Sequence, residues 1–200
     1  MLTVTLAALI MSIAIPTFIG INRGAVAKQA SYMVYAGLNQ AQQKAAITRQ
    51  RVGFYIVTRV NTPNPWVDNN MTNRSFFLYA ADTPDVAKAE NFITTIQTLP
   101  APMMFDFTTN GVGSSDSIPT LDMIDPATSV PYFQARGFRF APAGGLHAQD
   151  LDLSSSTAYQ FRVVVAEGGT AVGGGYSLKP IGAIRYTNTV NGFTGKVLNR

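Results

Sequence analysis

The chain contains no cysteine, one histidine and one tryptophan in 200 residues, and only 13% of it is charged. The missing cysteines exclude disulfides, thiol nucleophiles and thiolate-ligated metals. A protein of this make-up holds itself together by its core and its partners. The single histidine, His147 in GGLHAQDLDL, has Asp150 and Asp152 nearby. One imidazole with two loop carboxylates is a poor ligand set for a metal. Asp122 and Asp125 in LDMIDP do not have the spacing of a calcium loop. The glycines of GGTAVGGGY are not followed by the lysine of a phosphate-binding loop, and no serine stands in a G-x-S-x-G setting. No enzymatic constellation emerges, so neither an enzyme nor a cofactor is expected. Trp66, between Pro65 and Val67, reads as a surface contact or part of a small satellite core.

Negative charge is also missing from a whole third of the chain. Residues 1–67 carry Arg23, Lys28, Lys44, Arg49, Arg51 and Arg59, and the first acid is Asp68. From there nine of the 15 basic residues face all 11 acids. A basic third joined to a mildly acidic remainder points to a charged partner or to one solvated helix face.

What is abundant is apolar sequence at the start. MLTVTLAALIMSIAIPTFIGI, residues 1–21, holds no charge. As a helix it spans ~30 Å, the thickness of a bilayer's hydrocarbon. A cleaved secretory signal would begin with basic residues and end in a small-residue cleavage site, and neither is present. Pro16 removes the backbone hydrogen bond to the carbonyl of Ser12, which makes Ser12–Pro16 a weak point, or kink, in the helix. Arg23 and Lys28 follow the run, so the positive-inside rule would leave the bulk of the chain cytoplasmic, an odd place for a β-rich domain.

The helical pattern continues past the run. Ala30, Val34, Leu38, Ala41, Ala45 and Thr48 recur three and four residues apart, with glutamines and basic residues between them. A helix over about residues 2–50 would be ~70 Å long, too long for a compact globule of this size, so its apolar half must protrude. The period changes to two at VGFYIVTRV (52–60). Further strands are expected at 75–80, 103–108, 136–141, 158–167, 183–190 and 194–199, with a short helix at 85–96. The fold class is thus α+β: one long N-terminal helix packed on an antiparallel β-sheet domain. It divides into an apolar half-helix (1–23), an amphipathic half-helix (24–51) and a β-rich head (52–200), with the stripe Ala30, Val34, Leu38, Ala41 and Ala45 docking on the sheet.

This pattern resembles a known family. TLAALIMSIAIPTF, followed by a basic amphipathic helix and a β domain, is similar to the type IV pilins and type II secretion pseudopilins, with Pro16 at the place of their helix-kinking proline. Leu38, Ala41, Ala45, Ala46, Ile47, Arg49 and Val52 resemble the helix of the minor pseudopilin branch called GspH/FimT. GFRFAPAGG (137–145) and the terminal VNGFTGKVLNR are similar to later elements of that branch. The resemblance covers residues 1–55 well and the remainder thinly. It implies a structural filament subunit, held in the bacterial inner membrane and then built into a periplasmic pseudopilus or a surface pilus. Leu6, Ala7, Ala8, Ile10, Ala14 and Phe18 would pack in the filament core against identical or related subunits. It also implies a glutamate two positions before Met1 and, upstream of that, a basic leader cut by prepilin peptidase. That leader would supply the missing cytoplasmic charge. Some relatives in the branch bind DNA, so Lys179, Arg185, Lys196 and Arg200, with Tyr176 and Tyr186 among them, form an alternative reading as a DNA-binding minor pilin.

Overall fold

The computed structural model describes residues 2–61, 69–80, 91–107, 120–124, 131–147, 160–169 and 179–199, with helix side chains described from Asn22 onward. The chain is one N-terminal helix packed on antiparallel sheets. Helix α1 runs Leu2–Thr48, 47 residues. Among the described residues no helix is long and apolar enough to cross a membrane. The apolar run on which that expectation rests lies outside the residues whose side chains are described.

Among the described residues nine strands follow: β1 (Val52–Val60), β2 (Ser75–Ala80), β3 (Gln97–Thr98), β4 (Met103–Phe105), β5 (Thr120–Ile124), β6 (Pro131–Phe140), β7 (Gln160–Gly169), β8 (Lys179–Asn191) and β9 (Val197–Asn199). They form two sheets where the sequence reading had one. The first has the order β3-β2-β1-β6-β5 and the second β4-β7-β8-β9. β1 is the central strand of the first sheet, paired antiparallel with both β2 and β6. Its first six residues are all buried, whereas a strand with one wet face would alternate.

The two faces of that strand build two cores. Phe54 and Ile56 face the main core with Phe76, Leu78, Phe138 and Phe140, closed by α1 and by Met103, Phe105, Val163, Val165, Val190 and Val197 of the second sheet. Tyr55 and Val57 face the other way, with Phe77, Tyr79, Phe133 and Ala135, covered in part by Met71, Phe92 and Ile96. Aromatic pairs knit each layer. Phe54 stacks on Phe76 at 5.0 Å between centroids, and Phe77 meets Phe133 edge-on at 5.8 Å. Such pairs add about 0.5–1.5 kcal/mol beyond their buried area.

Three expectations need correction. The described part of the segment expected as a helix over 85–96 lies instead along the free edge of β2. Phe92 bridges Tyr79, and the Ile93 amide donates to the Leu78 carbonyl at 2.9 Å. The edge of β2 offers this segment backbone partners, which local helix propensity does not outweigh. Residues 85–90 lie outside the described part. β3 and β5 were not anticipated. One is two residues long and the other carries Asp122 at its centre, a residue type depleted in strands. β8 is longer than expected and includes Pro180, which pairs with Gly168 of β7 where β9 does not reach. The missing N–H of a proline is tolerated at such an edge.

Candidate functional site

The feature that organises the molecule is the docked half of α1. Ala27, Ala30, Val34, Leu38, Ala41 and Ala45 have no solvent exposure and join the main core. Thr48, at the end of the same stripe, is exposed and returns its hydroxyl to the Lys44 carbonyl at 2.8 Å. The small side chains let the helix backbone sit close on the aromatic floor. Gly37 marks the closest approach: a Cβ there would lie 2.7 Å from Phe76 Cε2 and 3.2 Å from Phe54 Cε2. Gly37 and Ala27 were not singled out in the sequence, although both fall on the stripe, Gly37 one residue before Leu38 and Ala27 one turn before Ala30.

Polar contacts fix the helix in register with the end of the chain. The buried Ser31 hydroxyl donates to Asn199 Oδ1 at 3.2 Å, and Asn188 Nδ2 reaches the Ser31 carbonyl and hydroxyl at 3.4 Å each. Gln42 Nε2 donates to the carbonyls of Thr194, at 3.1 Å, and Gly144, at 3.4 Å. The turn it grips needs Gly195, whose φ is +68° and whose missing Cβ leaves room for the Gly144 carbonyl. Residues 144 and 194–199 belong to two late stretches of the chain, 137–145 and 190–200. Both are brought against α1. At the helix end, Arg49 takes the left-handed conformation, φ 53°, that closes many helices.

The opposite face of α1 is open. Ala25, Lys28, Gln29, Tyr32, Met33 and Ala36 line a shallow apolar depression. Tyr32 is 53% exposed, with Lys28 Nζ 5.9 Å from its ring centre. That distance is within cation–π range. Ile47, 77% exposed, adds a second apolar residue near the helix end.

The remaining candidates separate. Leu6, Ala7, Ala8, Ile10, Ser12, Ala14, Pro16 and Phe18 lie in α1, which is continuous through Pro16, but outside the residues with described side chains. Of the four cations proposed for nucleic acid, the side chains of Lys179 and Arg200 are also outside. Lys196 is exposed on the β8–β9 turn. Arg185 is engaged: its Nη2 lies 3.5 Å from Oδ2 of Asp106, whose side chain is fully buried. Tyr186 packs against the main core. His147 sits beside the buried Arg139, with Nδ1 3.5 Å from Nη2, and its amide bonds the Arg139 carbonyl. Among the described residues no group of three potential ligands surrounds a metal site. Asp125, Asp150, Asp152, Trp66 and Tyr176 lie outside the described residues.

Comparison with protein-family models, with curated proteins and with solved structures finds no match to the chain.

Proposed function

We propose that the chain is a structural subunit of a type IV pilus or a type II secretion pseudopilus. In this reading it is held in the inner membrane before assembly and polymerised through its N-terminal helix. One observation carries the reading: α1 is a single helix over Leu2–Thr48, and among its described side chains the buried ones that join the head's core begin at Ala27. A 47-residue helix is ~70 Å long. A compact head of about 150 residues is ~40 Å across. The excess length has the uncharged composition of residues 1–21. Packing such helices together removes that apolar surface from both lipid and water. The resemblance to pilins in the sequence supports the same reading.

The absence of cysteine makes the test clean. With the complete coding region expressed in a filament-forming host, Ala14→Cys is expected to give oxidative cross-links between subunits in sheared filaments. Ala45→Cys, buried against the head, is expected to give none. Recovery of the protein in the soluble fraction, with no cross-link from position 14, would refute the proposal.

A further inference from the structure

The far end of the first sheet carries a second feature that the filament reading does not use. There the main-core face changes from aromatic to polar. Asp122 on β5 stands opposite Gln134 on β6, and Gln134 stands opposite Arg59 on β1. Neighbouring strands are ~4.8 Å apart, so the three side chains form a row about 10 Å wide. A bulge makes the row possible. The register shifts between Val57 and Arg59, so that Thr58 and Arg59 together oppose Gln134. In regular alternation Arg59 would share the face of Tyr55 and Val57; the extra residue re-aims it. Thr58 holds the bulge, its hydroxyl donating to the Gln134 carbonyl at 3.2 Å. Asn73, in the left-handed conformation at φ 56°, and the half-buried Phe107 complete the rim.

The result is an open depression of ≈ 560 Å³ that also includes Arg136. Its chemistry is mixed. Arg59, Asn73 and Gln134 offer donors, and Phe107 offers an apolar ring. Oδ1 of Asp122 is buried and has no hydrogen-bond partner. An orphaned acceptor of this kind costs about 1–3 kcal/mol, and a donor brought by a ligand would remove the cost. An anion would satisfy the arginine but bring no donor to Asp122. A cation would do the reverse. A hydroxyl is donor and acceptor at once, and vicinal hydroxyls on a ring with an apolar face match the whole set.

We propose that the Thr58 bulge builds a saccharide-binding site, in which Asp122 accepts from a sugar hydroxyl, Arg59 and Gln134 donate to others, and Phe107 lies against the ring face. The proposal is independent of the filament reading. The test uses the full chain in phosphocholine micelles, which carry no sugar headgroup, titrated separately with maltotriose, cellotriose and chitotriose at millimolar concentrations. Saturable shifts of the Asn73 and Gln134 side-chain amide signals are expected with at least one of them. Asp122→Asn is expected to weaken that binding about tenfold or more, and Arg59→Gln, altering an exposed side chain, several-fold. An unchanged amide spectrum elsewhere confirms the fold of each variant. Three results would overturn the proposal: no saturable shift with any of the three sugars, wild-type affinity in both variants, or saturation of the same amides by inorganic phosphate and not by sugar.

Discussion

The closeness of α1 to its aromatic floor makes one substitution informative at two sites. Gly→Ala in a helix normally stabilises by about 0.5–1 kcal/mol, because glycine loses more backbone freedom on folding. At Gly24 a Cβ meets nothing within 4 Å. At Gly37 it meets Phe76 Cε2 at 2.7 Å and Phe54 Cε2 at 3.2 Å. Neither ring can easily yield, since both are buried, stacked on each other at 5.0 Å, and Phe54 is backed by Phe138 at 6.2 Å. Overpacking of a tight core costs about 1–3 kcal/mol. At the middle of that range it outweighs the entropic gain, leaving Gly37→Ala destabilised by about 1 kcal/mol. For a chain of this size each kcal/mol moves the melting temperature by about 2–4 °C. Thermal unfolding followed by circular dichroism should therefore show Gly24→Ala melting about 1–4 °C above the parent and Gly37→Ala at least about 2 °C below it. A Gly37→Ala variant as stable as the parent would refute the close-packed interface, and so would two shifts of the same sign.

Other outcomes follow from the same structure. Arg49→Gly relieves a left-handed non-glycine residue and should stabilise by about 0.5–1 kcal/mol in urea unfolding. Arg185→Gln removes the cation from the buried Asp106 carboxyl. It should cost about 1–2 kcal/mol, less than a fully buried pair because the arginine is itself 43% exposed. Gly195→Ala forces a Cβ into the left-handed region and onto the Gly144 carbonyl, and should cost about 2 kcal/mol or more, with faster amide exchange across residues 190–199. Tyr32→Glu changes a half-exposed side chain outside the core, so the melting temperature should stay within about 2 °C. If filaments use this face, the same variant should assemble poorly.

Where the sequence could be read, a single local signal was enough. Ala30, Val34, Leu38, Ala41 and Ala45 follow the helical period, and β1 and β2 begin and end where their β-branched and aromatic runs do. What stayed hidden depended on residues far apart. β1 read as a strand of period two, and neither its burial on both faces nor the second sheet was legible there. β4 finds β7, and β1 finds β6, across long stretches of chain. Asp122 drew notice in the sequence only as a calcium candidate, because its partners Gln134 and Arg59 are brought beside it by pairing. Arg59 joins that face through a bulge that alternation cannot reveal. Gly37 drew no notice in the sequence; its role is set by Phe54 and Phe76, which lie beyond the helix.

The two faces of α1 follow different rules, and the difference bears on what the helix can do. Its inner face is fixed by shape: small residues against phenylalanine rings, with Ser31, Asn188, Asn199 and Gln42 setting the register. Those polar contacts tie the helix to residues 144–199, so the docked half is secure only when the last strands are in place. Its outer face has no such partner among the described residues. There Tyr32, Met33 and Lys28 are presented on a rigid support, in a region with no acidic residue before Asp68. A rigid helix loses little entropy when that face is covered, so modest apolar contact suffices for association. The basic charge disfavours two such faces meeting directly and favours a partner surface carrying acids. All 11 acids of the chain follow residue 67, so the head of another copy can supply that surface. In the filament proposed above, helix against head would be a heterologous contact that propagates rather than closing into a pair.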